Sequence, residues 1–192
     1  MRPRRLLSIA VLCGAVLSAS MANASTNSNN TTVGLTATVN ESLTVGLSGA
    51  TQTWTTGTAN PLTPGQASNN GDSAITVTTT WTLSPSRTAV VLYAYFASAT
   101  AALVPTAGTT NIPASDFEIK VGAGSFTPVS GTNAGFGVAG SSLQLQSTTI
   151  NGTNKVGSAT AVLTFNINLS TLPQLPADTY TGTLNIQAQA TP

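Results

Sequence analysis

Two segments near the C-terminus alternate between apolar and polar residues, at 161–170 and at 179–191. A period of two places successive side chains on opposite faces of a strand. Each segment is therefore predicted to be a strand with one face in a core and the other in water. The link at 172–178 contains two prolines, which interrupt strand pairing. We expect the upstream strands to be laid onto this C-terminal pair.

Further alternating or apolar segments precede this pair at intervals typical of a sandwich. They lie at 33–39, 43–47, 73–83, 88–96, 116–121, 125–129 and from 143 onward. No stretch of useful length has the spacing and caps of a helix. The sequence therefore predicts an all-β protein, a two-sheet immunoglobulin-like β-sandwich of about eight or nine antiparallel strands. Trp81 falls on the apolar parity of its strand and is predicted to lie in the core.

Residues 1–24 have the features of a secretory signal peptide. A basic start precedes a short apolar stretch at 6–19 and a small-residue cleavage site at 22–24. The apolar stretch is shorter than the ~20 residues of a spanning helix, so stable membrane insertion is not expected. The mature protein is predicted to be secreted, to the periplasm, the cell surface or the medium. A flexible polar tail at 25–31 and a single sandwich domain at 32–192 complete the predicted organisation.

Charge is scarce in the predicted mature chain. Once residues 1–24 are removed, three cations and five carboxylates remain, a net charge of −2. They are Arg87, Lys120, Lys155, Glu41, Asp72, Asp116, Glu118 and Asp178. Because the three cations are scattered, they predict no basic patch, and nucleic acid is not expected as a partner. The polar surface is predicted to consist mainly of Thr, Ser, Asn, Gln and Gly.

The sequence shows no catalytic or metal-binding constellation. The chain has no histidine, and its single cysteine, Cys13, lies in the predicted signal peptide. This excludes Ser–His and Cys–His catalysis and the usual zinc sites. Asp116 and Glu118 are predicted to share the wet face of one strand and are the candidates for a carboxylate pair. We interpret them as ordinary exposed acids, and expect no enzymatic activity and no cofactor or metal.

Aromatic side chains indicate an alternative function, a secreted glycan-binding module. Its candidate contacts are Trp54, Tyr93 and Tyr95, whose rings combine an apolar face with a polar group. Tyr93 and Tyr95 share one face of the segment 88–96, which is apolar on both faces. We therefore predict a central strand whose second face is covered by a loop or a neighbouring element.

The two ends of the chain resemble one group of secreted proteins. Residues 175–189 read Leu-Pro-Ala-Asp-Thr-Tyr-Thr-Gly-Thr-Leu-Asn-Ile-Gln-Ala-Gln. This segment resembles the closing strand of spore coat protein U-like proteins and related chaperone–usher fibre subunits. A signal peptide followed directly by an alternating strand, here 33–39, is also similar to those families. The paired cysteines common in them are absent from this sequence.

The resemblance implies a non-enzymatic structural protein, a surface-fibre or pilus-like subunit or an extracellular matrix component. Such subunits form homopolymers by inserting an N-terminal strand into a neighbour's groove, with a periplasmic chaperone as a further partner. The candidate donor residues are Val33, Leu35, Ala37 and Val39. The candidate acceptor edge consists of Tyr180, Leu184, Ile186 and Ala188. The alternative is that 33–39 is the chain's own first strand, paired within its own sheet and kinked at 40–42.

Overall fold

The structure is a computed structural model that describes residues 31–54, 62–133 and 135–192. The predicted signal peptide (1–24) and the predicted tail up to residue 30 lie outside the described residues. Those described form ten strands and one short 3-10 turn, Ala114–Asp116. The strands are β1 (Ser42–Leu47), β2 (Ile75–Thr82), β3 (Ala89–Tyr95), β4 (Val104–Pro105), β5 (Phe117–Val121), β6 (Thr127–Pro128), β7 (Ser142–Thr149), β8 (Val156–Ile167), β9 (Tyr180–Thr181) and β10 (Asn185–Thr191). The prediction of an all-β fold is confirmed.

The strands form two main sheets, and every pair is antiparallel. The larger sheet has the order β1-β2-β8-β5-β6 and the smaller has the order β10-β3-β7, while β4 and β9 form a separate short ribbon. Buried side chains of both main sheets share one hydrophobic cluster, which makes the domain a two-sheet β-sandwich as predicted.

Strand β2 shows how the alternation produces this core. Ile75, Val77 and Trp81 point inward and are nearly inaccessible, whereas Thr80 on the opposite face is exposed. Trp81 packs in a smaller cluster, and its indole N–H donates a hydrogen bond to the carbonyl of Asn154 at 2.9 Å. The predicted core position of Trp81 is confirmed. Because the indole N–H has a partner, this burial leaves no donor unsatisfied.

The two C-terminal strands do not pair with each other, which corrects the predicted arrangement. Strand β8 lies in the larger sheet between β2 and β5, whereas β10 forms one edge of the smaller sheet. The predicted strand 179–191 is also divided into β9 and β10. Between them the backbone at Gly182 passes so close to Ala102 that a Cβ on Gly182 would lie 2.0 Å from the Ala102 carbonyl oxygen. This close approach requires glycine.

Along one side of the sandwich, the chain itself connects the edges of the two sheets. After β6, which forms an edge of the larger sheet, the chain crosses to the smaller sheet, where Gly131 pairs with Ser142 at the start of β7. The Gly131 amide donates a hydrogen bond to the Ser142 carbonyl at 2.7 Å. On the other side the edge strands are β1 and β10, each paired with one neighbour within its sheet. Among the described residues, this second side has no bridging strand.

The predicted first strand at 33–39 does not form within the chain. Residues 31–40 adopt no strand, and the compact unit begins at Thr38. Val33, Leu35 and Val39 are 82%, 92% and 82% exposed. The prediction that this segment pairs within its own sheet is therefore wrong. Alternation specifies which side chains share a face, but it does not supply a neighbouring strand with which the main chain of the segment can pair.

Candidate strand-acceptor groove

A groove of about 960 Å³ opens on the unbridged side of the sandwich. Its floor consists of side chains that belong to the hydrophobic core. These are Ile75, Leu103, Phe117, Phe165 and Ile167, each no more than 9% exposed. A side chain inserted into the groove would therefore contact the core between the two sheets, as a further strand of the sandwich would.

The groove lies between the end of β1 and the start of β10. Leu47, at the end of β1, is 46% exposed and lines the groove. Opposite, the chain from Ala177 to Ile186 forms the other wall. A separate cleft of about 330 Å³ lies between the start of β1, at Ser42 and Leu43, and residues 188–190 of β10.

The structure places three of the four predicted acceptor residues in this groove. Tyr180, Leu184 and Ile186 line it, whereas Ala188 lines the separate cleft. All four are partly buried against the core. Strand β9 pairs with β4, and β10 pairs with β3, each on one side only. The main chain of this wall therefore retains an edge to which another strand can be added.

Polar contacts hold the β9 end of the groove wall in place. The Asp178 carboxylate accepts hydrogen bonds from the main-chain N–H groups of Ala107 (3.0 Å) and Gly108 (2.7 Å). These bonds lower the pKa of Asp178 below its usual value, because they favour the charged carboxylate. The Tyr180 hydroxyl donates to the Pro176 carbonyl at 2.9 Å, and burial raises the pKa of Tyr180. These bonds tie the Asp178–Tyr180 part of the wall to the neighbouring main chain.

Trp54 lies in this groove, a position that the sequence pattern did not predict. Its ring contacts Phe117 edge-on, with ring centroids 5.8 Å apart, and its indole N–H donates to the Asn69 carbonyl at 2.9 Å. Asn69 is itself buried, and its side-chain amide donates to the Ile167 carbonyl at 2.8 Å. The indole is thus anchored between the strands, with part of its surface open to the groove.

Tyr93 and Tyr95 lie elsewhere, on the outer face of the smaller sheet. Phe136, from the glycine-rich segment 131–140, stacks on Tyr93 at 4.2 Å between ring centroids and meets Tyr95 edge-on at 5.8 Å. Phe136 is only 4% exposed. The prediction that this face is covered is confirmed. The three candidate glycan contacts, Trp54 and the two tyrosines, do not form one platform.

Asp116 and Glu118 do not share a wet face, which corrects that prediction. Asp116 belongs to the 3-10 turn before β5 and is buried, where its carboxylate accepts a hydrogen bond from Thr171 at 2.7 Å. Glu118 accepts from the side-chain amide of Asn166 at 2.7 Å. Within the described residues, no three His, Cys, Asp or Glu side chains cluster as metal ligands. No helix in that part of the chain is long and apolar enough to cross a membrane.

The fold and the groove define a class of protein, an antiparallel β-sandwich that is open along one side. One additional strand would lie over the core residues of its groove floor and pair with its free edge. No family model, curated protein or solved structure matches this chain.

Proposed function

We propose that the protein is a non-enzymatic, secreted structural subunit of a surface fibre or extracellular matrix, assembled by strand exchange. Residues 32–39 of one copy occupy the groove of the next copy and complete its sandwich. One observation carries this proposal: the same chain contains a core-lined groove beside a free strand edge and an exposed apolar segment without a strand partner. The resemblance to fibre subunits supports the same conclusion.

The donor segment fits the groove in its pattern. As a strand, the seven residues of 33–39 would span about 23 Å, and the groove wall that they would face is formed by residues 177–186. The four donor residues, Val33, Leu35, Ala37 and Val39, occupy alternate positions and would all face the groove floor. The main chain between them would pair with the free edge beside β10, as in other strand additions.

Burial of the donor side chains supplies the driving force. Val33, Leu35 and Val39 expose most of their surface before assembly. Burying a Val or Leu side chain contributes about 1.5–3 kcal/mol, so the three together contribute roughly 5–9 kcal/mol before the entropic costs of association. The segment 31–40 carries no charged side chain, so its insertion requires no charge to be desolvated.

An unassembled subunit would expose both the groove and a strand edge. Such edges pair readily with other chains and lead to aggregation. A periplasmic chaperone, the partner implied by the resemblance, would cover this surface between export and assembly. Release from the chaperone would then coincide with insertion of the next subunit's donor segment.

Deletion of residues 25–39 tests the proposal. We expect the full-length mature protein to form long, heat-resistant polymers, visible by electron microscopy and by size-exclusion chromatography. The truncated protein should remain monomeric, and a peptide of residues 31–40 added in trans should bind it and raise its melting temperature. The control is a peptide of the same composition in which the apolar residues are distributed over odd and even positions, so that they cannot all lie on one face of a strand. A full-length protein that remains a stable monomer at all concentrations would eliminate strand exchange.

Polysaccharide titration tests the alternative glycan-binding function in the same samples. Trp54 lines the groove, so its fluorescence should respond to the donor peptide. A saturable, sugar-specific change in tryptophan emission, retained after the peptide has filled the groove, would instead favour a glycan site. We expect the peptide to produce a saturable change and polysaccharides to produce none.

A further inference from the structure

Two of the few cations of this protein lie close together, at the turn between β2 and β3. The predicted mature chain has three cations. Arg87 lies in the turn between β2 and β3, and Lys155 donates to the Pro85 carbonyl in the same turn. Lys120 lies apart, over the ring of Phe126 at 5.0 Å.

Arg87 binds the residue at which the donor segment joins the domain. Its Nη2 lies 3.1 Å from Oε2 of Glu41, and its Nε donates to Oε1 at 3.2 Å, so the contact is bidentate. The Ser84 amide also donates to the Glu41 carboxylate, at 2.7 Å. Among the described residues, Arg87 and Glu41 form the one ion pair. Glu41 immediately precedes β1.

The same guanidinium also reaches the acceptor strand. Nη1 of Arg87 donates to the carbonyl of Ala190, in β10, at 3.4 Å. The neighbouring Thr88 amide donates to the Thr191 carbonyl at 2.9 Å, which ties the turn to the end of β10. Lys155, just before β8, donates from Nζ to the carbonyl of Arg87 at 2.5 Å and so ties the turn to the larger sheet. Arg87 therefore joins the root of the donor segment to the strand that would receive another copy's donor.

We propose that Arg87 is a positioning residue that fixes the root of the donor segment, residues 40–41, to the end of the acceptor strand. This inference rests on the proposed strand exchange. In a fibre, this contact restricts the angle between each subunit and the groove of its neighbour, because it limits the motion of the donor's exit point. The fibre is consequently stiffer than it would be without the contact.

Two further observations support this role. Residues 31–40 form no strand that could hold the root in place. The side chain of Glu41 anchors the root to the domain instead, through Ser84 and Arg87. The paired guanidinium and the Ser84 amide hold the pKa of Glu41 at about 2, below its usual 4.5, so the pair stays ionised at neutral and mildly acidic pH. An exposed ion pair contributes little to folding stability, so its removal should leave the subunit folded.

Fibre stiffness measures this role directly. We expect Arg87→Ala to reduce the persistence length of fibres, traced in electron micrographs, by about twofold or more, since a freely rotating junction behaves as a flexible linker. The affinity of the truncated subunit for the 31–40 peptide should not change. Lys120→Ala removes a cation remote from the root and should leave both quantities unchanged. High salt should soften wild-type fibres, because it screens exposed pairs, but should not soften Arg87→Ala fibres further.

The outcomes separate this inference from the function on which it rests. If wild-type protein forms no fibres and the peptide does not bind, both are wrong. If fibres form and Arg87→Ala leaves their persistence length unchanged, strand exchange stands and the positioning role is overturned. Should Arg87→Ala fail to fold, Glu41→Gln removes the charge pair while it leaves Arg87 bound to Ala190. Unchanged stiffness in that variant would also overturn the role.

Discussion

Replacement of Leu35 by alanine in the donor peptide gives the sharpest test of how the groove is filled. In the unassembled chain Leu35 is 92% exposed, so nearly all of its side chain becomes available for burial on insertion. The change removes three carbons, and each buried methylene contributes about 0.8 kcal/mol, which gives a loss of roughly 2.4 kcal/mol. Since 1.4 kcal/mol corresponds to a tenfold change in affinity, Leu35→Ala should weaken binding about 50-fold.

The assay is a titration of 31–40 peptides into the subunit that lacks residues 25–39, followed by the fluorescence of Trp54 and by calorimetry. Thr36→Ala is the matched control, because Thr36 lies on the opposite parity and should face solvent. Its effect should stay within about threefold, since exposed substitutions change free energies by only about 0.5 kcal/mol. Equal effects of the two substitutions would show that the segment does not insert as a strand with this parity.

Three further predictions concern the folded subunit. Phe165→Ala should cost about 3–5 kcal/mol in chemical denaturation, because this side chain is 2% exposed and fills the core beneath the groove. Gly182→Ala should destabilise the fold by roughly 1–3 kcal/mol in the same assay, because the new Cβ would collide with the main chain of Ala102; an unchanged midpoint would contradict the close approach. The pKa of Glu41 is lower in the folded than in the unfolded state, so its contribution to stability is complete above pH 4.5 and is lost as the pH falls toward 2. The melting temperature of Glu41→Gln should therefore fall less than that of the wild type as the pH is lowered over that interval. Parallel plots of melting temperature against pH would refute the pairing with Arg87.

The sequence predicts strands well where one face meets the core. The segment 73–83 contains β2 (Ile75–Thr82), and the segment 88–96 contains β3 (Ala89–Tyr95). In β2 the apolar parity matches the buried side chains, and in β3, which is apolar on both faces, buried side chains lie on both parities. For β2 the reason is physical: a shift by one residue would expose every core side chain, so the pattern has to be strict.

The choice of partner strands could not be predicted in the same way. Alternation in 161–170 and 179–191 specifies the faces of two strands, but it is equally consistent with a hairpin and with strands in opposite sheets. The proline-containing link at 172–178 is compatible with both, and in the structure the strands occupy different sheets. The segment 33–39 shows the same limit, because its alternation is clear although it forms no strand within the chain.

The groove and its surroundings depend on contacts between distant parts of the chain. Trp54 is brought to the groove by the loop before β2, which carries no periodic signal. Phe136 covers two tyrosines from within a glycine-rich segment that reads as a loop. The contact of Arg87 with Glu41 spans 46 residues. With only eight charged residues in the predicted mature chain, however, a search for opposite charges beside apolar strands could have proposed that pair.

The bridge between Gly131 and Ser142 determines what kind of polymer such a subunit can form. Because this bridge closes one side of the sandwich, the groove on the other side would be the acceptor under the proposed function, and each chain would carry one donor segment. A monomer with one donor and one acceptor has a functionality of two, so strand exchange yields linear, unbranched chains with distinct ends. The subunit that lacks residues 25–39 can accept but cannot donate. It would act as a chain stopper, and its molar fraction would set the mean degree of polymerisation.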